Sequence, residues 1–541
     1  MILYTTLMIH VLKSEELRQD TFYGCRRQRR HLTVQERLAE RKGIPYRWQV
    51  LMAVTIGTFM SLLDQTVVNI AIPRLQSAFG VDIQSVQLVI TTYLLTAGIA
   101  IAAVVFCADR FGIKRVYILS LVLFTLSSAL CGLSWNFPLL VCFRIVQGIG
   151  AAALFPLATT FLLREFPAKE RGLMMGIFGI PVLLAPALGP TLGGYLVTYA
   201  DWPAIFYINV PLGILAIILC SKILREVKPE SHLRFDLVGF ILIAVGIGLV
   251  LYALAETSTA GWGSPRILTL LLGGGIALII FSVFEVRRER RGVLPLLYLS
   301  LFRNGPFLFS ILTTMLLFFR FMGSNLLFPL YLQQIRGETA LQAGLILIAQ
   351  PIASAVTSLL GGKFVDLLGV KLVVIAGLIL LIIASWQLTF ISTTAALWWL
   401  LLWLIVQGLS FGLCVQPLVI SANSEIVPQR IAQANAFITL ARSVSASLGV
   451  AIVASVLQMQ SQLYLKQATG LANVTKTLST HLLQRSAILA QQDAFWVLLI
   501  ISILALLTAC FVQRGTFKNT VQSLSAGEQE EGEAVRNVVE K

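Results

Sequence analysis

The sequence predicts an all-α integral membrane protein with about fourteen transmembrane helices. Two observations lead to this fold class. The chain is 57% hydrophobic and only 12% charged, whereas soluble domains are about 45–50% apolar and about 25% charged. Apolar windows of about 19 residues also recur along most of the chain, with short polar connections between them. Such a chain fits lipid better than water, because it has too little polar surface to cover itself.

Each apolar window is long enough to cross about 30 Å of hydrocarbon as a helix, at about 1.5 Å per residue. The polar, glutamine-rich segment 458–492 is predicted to be a long external loop, and residues 1–47 and 514–541 are predicted to be tails, the first of them basic. The predicted spans are 48–72, 85–106, 114–134, 137–162, 172–199, 203–224, 236–256, 265–286, 306–332, 340–362, 370–391, 394–422, 431–457 and 493–513.

The formal net charge of +15 is best explained by orientation in the membrane. The basic residues lie in short clusters between apolar runs, without the aromatic residues of a nucleic-acid-binding face, so no nucleic-acid partner is expected. Alternate loops are strongly basic, while the short loops between them hold only Arg74, Arg266 and Arg336. The positive-inside rule predicts that both tails are cytoplasmic and that the protein crosses the plasma (inner) membrane many times.

The sequence gives no sign of catalytic chemistry. No catalytic triad, metal-ligand cluster or phosphate-binding loop is recognisable, so we expect no enzyme activity, no cofactor and no metal. The seven cysteines are scattered, mostly inside or beside apolar runs, and we interpret them as small apolar side chains. Transport across the membrane is the function that this pattern favours.

An internal repeat divides the membrane-embedded part. Segment 109–114 (Asp-Arg-Phe-Gly-Ile-Lys) recurs as 366–371 (Asp-Leu-Leu-Gly-Val-Lys), and Val-Gln-Gly at 146–148 recurs at 406–408. Three further matches pair Pro156 with Pro417, Pro167 with Pro428, and Gly189 with Gly449. Parallel repeats about 260 residues apart are typical of secondary transporters, whose substrate path lies between the halves. We therefore predict six-helix halves at 48–224 and 303–513, with an inserted helix pair within 225–302.

Two charged residues fall inside the predicted spans of the first half. Asp64 lies in the first span, where a carboxylate costs about 2.5–3.5 kcal/mol, so it should face a cavity or a partner, or be protonated. Arg144 lies in the fourth span and must be paired or hydrated, because its guanidinium stays charged. Both lie about 10–12 Å below the same membrane surface, so they could pair. The alternatives are a structural hydrogen bond for Asp64 and a snorkelling or structural role for Arg144.

Four motifs resemble the major facilitator superfamily, and within it the fourteen-helix drug:proton antiporters of the EmrB/QacA type. The resemblance covers about residues 48–513 and implies the major facilitator fold. The motifs are Leu-Asp-Gln-Thr-Val-Val-Asn-Ile-Ala-Ile-Pro at 63–73, the loop Asp-Arg-Phe-Gly-Ile-Lys-Arg at 109–115, Arg-Ile-Val-Gln-Gly-Ile-Gly at 144–150, and Ala-Pro-Ala-Leu-Gly-Pro-Thr-Leu-Gly-Gly at 185–194 together with Gly176.

The resemblance implies a role for each motif. Asp64 and Arg144 are implied to couple transport to protons, and Asn69 and Gln147 are candidates for the substrate cavity. The two loop copies are implied to latch one conformation, through Asp109, Arg110, Gly112, Lys114, Asp366, Gly369 and Lys371. The fifth span is implied to act as the hinge of an antiporter and as a tight helix seam, through Gly176, Gly189, Pro190, Gly193 and Gly194.

The sequence departs from the family pattern at four positions. Val105 and Ala185 replace expected glycines, although the second loop copy keeps its glycine as Gly362. Pro203 stands where arginine is usual, and Leu404 occupies the position that the repeat aligns with Arg144. We expect the helices beside the first loop to approach less closely, and we expect charge chemistry in one half only.

These features predict a proton-coupled antiporter that exports small amphipathic, preferentially cationic drugs by alternating access. A dedicated exporter of one metabolite, antibiotic or lipid would share every motif. The expected partners are a small-molecule substrate, protons and the lipid bilayer; we expect a monomer, and a periplasmic adaptor stays open. For Arg320, Arg442 and Glu256 the sequence favours structural ion pairs or interfacial anchoring.

Overall fold

The computed structural model describes residues 44–81, 83–226, 236–291, 295–427, 430–469 and 476–512, and these residues are almost entirely helical. The predicted tails lie almost wholly outside the described residues. The compact body begins at Val50, and the described residues that precede it, 44–49, include the start of the first helix.

The first half contains eight helical segments. They are α1 (Tyr46–Val67), α2 (Ile72–Phe79), α3 (Ile83–Phe111), α4 (Ile113–Gly132), α5 (Phe137–Glu165), α6 (Arg171–Tyr199), α7 (Ala204–Tyr207) and α8 (Asn209–Ile223). A 3₁₀ turn, Val68–Ala71, separates α1 from α2. The predicted first span therefore ends in a break rather than as one straight helix.

The inserted pair and the second half follow in the predicted order. They are α9 (Leu237–Ala260), α10 (Pro265–Arg290), α11 (Gly305–Leu330), α12 (Ala340–Leu347), α13 (Ala349–Leu368), α14 (Val370–Leu388), α15 (Leu397–Ala422), α16 (Ile431–Thr469) and α17 (Lys476–Ala509). A π-helical turn, Tyr331–Ile335, extends α11.

Polar side chains start several of these helices. The side chain of Asn136 accepts a hydrogen bond from the backbone N–H of Leu139 at the start of α5, and Asn304 does the same for Phe307 at the start of α11. Such caps satisfy backbone donors that have no partner within the helix. The apolar length and the caps are both readable in the sequence, which explains why the predicted helix positions agree well with the structure.

The predicted membrane fold is confirmed. Among the described residues, 12 helices are long and apolar enough to cross a membrane, or up to 13 if one bent pair is counted as a single span. A shorter apolar helical stretch, Leu88–Val104, lies within α3. These numbers are compatible with fourteen spans.

The predicted loop 458–492 is wrong as a description of the backbone. Helix α16 continues to Thr469, and α17 already begins at Lys476. Leucine, glutamine and lysine are good helix formers, so a polar composition excludes lipid without excluding a helix. The two membrane helices therefore extend beyond their apolar parts.

The two halves meet along a few helix pairs. Helix α6 packs against α13 and α15, and α16 packs against α3 and α5. The inserted helix α9 packs against its partner α10 and against both α3 and α16. The seam between the halves is thus formed mainly by α3, α5, α6, α13, α15 and α16.

Candidate functional site

A buried ion pair lies at the centre of the first half. Nη1 of Arg144 donates to Oδ2 of Asp64 across 2.7 Å, and the two side chains are 1% and 0% exposed. The same Nη1 donates to Oε1 of Gln147 at 2.7 Å, and Nε donates to the carbonyl of Val89 at 3.0 Å. The predicted pairing of Asp64 with Arg144 is confirmed as a contact.

Two amides and a hydroxyl complete the network. Oδ1 of Asp64 accepts from Nε2 of Gln147 at 3.2 Å and from Nδ2 of Asn209 at 2.9 Å. The hydroxyl of Ser128 accepts from Gln147 at 2.5 Å and from Asn209 at 3.4 Å. These groups come from four helices, α1, α4, α5 and α8. A change in the charge of Asp64 would therefore alter hydrogen bonds on all four.

Aromatic rings enclose the guanidinium. Cζ of Arg144 lies 4.2 Å from the ring centroid of Tyr93 and 5.7 Å from that of Phe206. Of the predicted alternatives for Asp64, a cavity, a partner or protonation, this conformation shows a partner, because the side chain has no exposed surface. Enclosure strengthens the ion pair because water does not screen it. Asp64 must therefore become accessible by a conformational change if it exchanges protons.

The second half contains a similar network, in which the structure describes no acid. On α11, Arg320 is 2% exposed; its Nη1 donates to Gln407 and its Nη2 to Ser385, both at 3.0 Å. Ser385 is in turn 3.4 Å from the hydroxyl of Ser502. Gln407 is the repeat partner of Gln147, and Ser385 follows Ser128 by the same 257 residues that separate Asp366 from Asp109.

The second loop copy joins the two halves. Both carboxylate oxygens of Asp366 accept backbone N–H groups at the start of α6, from Gly172 and Leu173, each at 3.2 Å. A Cβ atom on Gly172 would collide with the backbone of Gly362, so the two glycines allow α6 and α13 to touch. A carboxylate at a helix N-terminus is favourable because the unpaired N–H groups carry partial positive charge.

The first loop copy makes weaker contact across the halves. Asp109 accepts a hydrogen bond from Nε2 of Gln433 on α16 at 3.3 Å. Nζ of Lys114 donates to the carbonyl of Ser221 in the first half, and its backbone N–H donates to Glu226, which directly follows that half.

Other residues of the two loops are placed as follows. Gly112 and Gly369 have φ values of +97° and +83°, which explains why both copies need glycine there. Arg110 lies 5.6 Å from the ring centroid of Phe111, and Nζ of Lys371 donates to the carbonyl of Cys510.

Helix α6 contains the predicted hinge motif. It bends by 45° between Arg171–Pro186 and Thr191–Tyr199. A Cβ on Gly176 would lie 2.7 Å from the carbonyl oxygen of Ser358 on α13, and one on Gly189 would collide with Thr66 on α1.

The end of the hinge motif differs from the prediction. Gly193 is buried, whereas a Cβ on Gly194 would meet nothing within 4 Å, so Gly194 is not part of a tight seam. The side chains of Pro190 and Asn69 lie outside the described part of the chain.

Glu256, Arg320 and Arg442 have different surroundings in the structure. Glu256 forms an ion pair with Arg266 at 3.6 Å, as predicted. For Arg320 and Arg442 the ion-pair alternative is wrong, since no carboxylate of the described residues lies within ion-pair distance of either guanidinium. Sequence reasoning also missed Ser128, Asn209 and Ser385 as site residues. The equal repeat spacing of the two serines was the available signal.

Comparisons with known proteins agree with this architecture. The sequence model of the Major Facilitator Superfamily matches residues 54–450. The multidrug resistance protein Stp of Mycobacterium tuberculosis (strain CDC 1551 / Oshkosh) is 33% identical over 409 residues, which cover 75% of this chain and 75% of that protein. The riboflavin transporter RibZ of Clostridioides difficile (strain 630) is 28% identical over 474 residues, which cover 87% of this chain and 99% of RibZ.

The fold also matches a solved transporter. The proton:xylose symporter XylE bound to 6-bromo-6-deoxy-D-glucose superposes with a TM-score of 0.58 at 18% sequence identity, covering 86% of this chain and 96% of XylE. The likeness to XylE supports the fold, and the family match extends over most of the helical body. The chain belongs to the Major Facilitator Superfamily and is a multi-pass membrane transporter of small molecules.

Proposed function

We propose that this transporter is a proton-coupled antiporter of the plasma membrane, with both termini cytoplasmic, that exports small amphipathic molecules by alternating access. The observation that carries the proposal is the enclosed pair of Asp64 and Arg144, whose polar partners come from four helices. A carboxylate that is held so tightly can respond to a proton only by a rearrangement that all four helices share.

Protonation supplies the link between charge and conformation. A proton on Asp64 removes the negative charge and leaves the Arg144 guanidinium buried without a counter-ion, a state that costs about 3–5 kcal/mol. Moving helices so that Arg144 gains other partners or water relieves this cost. Proton binding would thereby favour one conformation, and proton release would favour the other.

The contacts of the second loop copy can form and break, and they thereby distinguish two conformations of the transporter. Asp366 at the N-terminus of α6 and the glycine contact between α6 and α13 hold the halves together at the end of the molecule that contains both loop motifs. Opening at that end requires these contacts to break, while the opposite end closes. This arrangement would expose a central site alternately to the two sides of the membrane.

The membrane potential is large enough to drive accumulation. One proton crossing 100 mV supplies about 2.3 kcal/mol before any pH gradient is counted. That energy corresponds to a concentration ratio of roughly fifty.

The decisive experiment compares Asp64→Asn with the wild type in inside-out vesicles, using uptake of fluorescent amphipathic dyes. The amide keeps the size of the side chain but cannot bind and release a proton. We expect proton-driven uptake to fall by about a hundredfold or more, whereas exchange of dye across the membrane without a proton gradient persists.

The control is Asp109→Asn, which neutralises a carboxylate outside the network. It should retain uptake that an uncoupler abolishes. Uncoupler-sensitive uptake by Asp64→Asn at the wild-type level would remove Asp64 from the mechanism.

A dedicated exporter is the second candidate. The similarity to RibZ, a riboflavin transporter, favours it. A competition assay distinguishes the two, because a dedicated exporter is inhibited by one chemical class and a multidrug exporter by many.

A further inference from the structure

An arginine lies between aromatic rings from the two halves, midway along its helix segment in the membrane. Arg442 on α16 has its Cζ 5.0 Å from the ring centroid of Phe155 on α5 and 4.9 Å from that of Phe318 on α11. Phe155 belongs to the first half and Phe318 to the second. Arg442 is about 17 Å along α16 from its start, by helical rise.

The guanidinium is buried with hydrogen-bonding capacity left over. Arg442 is 8% exposed, yet neither its Nε nor its Nη2 has a hydrogen-bond partner among the described residues. Among the residues that the structure describes, no ion pair involves it. Buried donors are nearly always satisfied, and a buried cation without an anion is especially unfavourable. The site is therefore incomplete without an anionic group.

Other buried polar atoms and aromatic rings lie near this seam between the halves. Gln416 on α15 is 1% exposed, and in the part of the chain that the structure describes neither its Nε2 nor its Oε1 has a hydrogen-bond partner. A Cβ on Gly179 of α6 would lie 3.1 Å from its Cγ. The ring of Phe318 is 5.5 Å from that of Phe411, which stacks on Phe321 at 3.9 Å. Unused polar atoms and stacked rings thus occur together where the halves meet.

Among the described residues of the two six-helix halves, 48–224 and 303–513, the buried charges sum to a positive value; the buried acids Asp236 and Glu285 belong to the inserted helix pair. Asp64 and Arg144 neutralise each other at 2.7 Å, and both oxygens of the Asp64 carboxylate are occupied. Arg320 and Arg442 have no carboxylate partner within the described ranges. A cationic substrate would meet this excess positive charge, whereas an anionic substrate would be attracted by it.

We propose that Arg442, with Phe155 and Phe318, binds the acid group of an aromatic anionic substrate. A guanidinium presents paired donors that match a carboxylate, sulfonate or phosphate, and the flanking rings offer surfaces for a planar scaffold. This inference deepens the proposed export function and rests on it for the direction of transport. It replaces the preference for cations that the sequence favours.

Arg442 touches rings of both halves, so the geometry of the bound anion would depend on how the halves are arranged. When the halves rock, Phe155 and Phe318 separate or approach, and the contacts around the guanidinium change. The same site can therefore bind the anion more tightly in one conformation than in the other, as alternating access requires.

The test uses two dyes that share one scaffold and differ in charge. Fluorescein is an anionic xanthene and rhodamine 6G is a cationic one. Binding of each to the purified full chain in lipid nanodiscs is measured by fluorescence anisotropy, without any proton gradient. We expect the wild type to bind fluorescein at least about tenfold more tightly than rhodamine 6G.

Three variants separate charge from structure. Arg442→Gln should weaken fluorescein binding by about tenfold or more without weakening rhodamine 6G, and Arg442→Lys should retain part of the fluorescein affinity. The control Arg336→Gln removes an arginine outside both buried networks, paired with Glu338, and should change fluorescein affinity by less than about threefold. Size-exclusion profiles and thermal unfolding identify any variant that fails to fold.

The outcomes distinguish this inference from the proposed function. Tight fluorescein binding that depends on Arg442, together with transport that ignores an uncoupler, supports the anion site and removes proton coupling. Equal fluorescein affinity in Arg442→Gln and the wild type overturns the anion site, as does tighter binding of rhodamine 6G or no binding of fluorescein by the wild type. Proton-driven transport of rhodamine 6G alone would preserve the proposed function and overturn this inference.

Discussion

The two halves use the same polar positions to hold different charges. In the first half, Gln147 and Ser128 surround the pair of Asp64 and Arg144, with Asn209 completing the network. In the second half, the repeat partners of that glutamine and serine bind Arg320, and no described acid accompanies it. One half therefore contains a group that a proton can neutralise, and the other contains a fixed positive charge. In the proposed mechanism, this unequal charge would let the first half respond to protons while both halves form the substrate path.

Removing the arginine of each network should give the largest difference in stability between the two halves. Arg144→Gln leaves the Asp64 carboxylate buried without a cation, and we expect a loss of about 3–5 kcal/mol in the free energy of unfolding. Arg320→Gln removes a charge that has only neutral partners, so its loss should be about 1 kcal/mol or less. Reversible unfolding in mixed detergent micelles, followed by circular dichroism, measures both.

The double variant Asp64→Asn with Arg144→Gln provides the control, because it removes the charges together. It should recover most of the stability that Arg144→Gln loses. Similar losses in Arg144→Gln and Arg320→Gln would contradict the claim that the two halves differ in charge pairing.

The glycine of the second loop copy should give the next largest effect. Gly362→Val introduces the residue type that the first copy has at position 105, and its side chain would collide with Gly172. Because overpacking costs about 1–3 kcal/mol, the contact between α6 and α13 should open and dye transport should fall at least about tenfold. Vesicle uptake and thermal unfolding report the two effects.

The matched control is Val105→Gly, which gives the first copy the family's glycine. We expect a change in uptake of less than about threefold, since Asp109 does not cap a helix across the seam. Normal transport by Gly362→Val would show that close approach of α6 and α13 is not needed for the transport cycle.

The carboxylates of the two loop copies should give the smallest contrast. Asp366→Asn weakens the cap on α6. Charges at helix N-termini contribute about 0.3–1 kcal/mol, so the conformation in which α6 and α13 are in contact should become up to about fivefold less populated. Asp109→Asn weakens a hydrogen bond from the neutral amide of Gln433 and should shift this population less. Distances between spin labels on the two halves measure the populations; a larger shift for Asp109→Asn would reverse the assigned roles.

Local sequence signals predicted the helices well because membrane helices depend on apolar length and on caps such as Asn136 and Asn304. The helical ends of α16 and α17 were missed because the prediction relied on polarity, and a polar segment can still be helical. Within the site, Asp64 and Arg144 stood out because charges are expensive in lipid. Ser128 and Ser385 did not, because one hydroxyl in an apolar run has no such cost.

The sequence by itself determined the membrane helices, the internal repeat, the loop glycines and the identity of the two charges that pair in the first half. Each of these follows from the length of apolar runs, backbone conformation or the cost of a charge in lipid. Only the tertiary structure decided that Asp64 is enclosed, that Asp366 caps α6, and that Arg442 lies between rings of both halves with no acid of the described residues beside it. Those facts depend on residues far apart in the chain, whose meeting is fixed by the packing of helices and not by any local pattern.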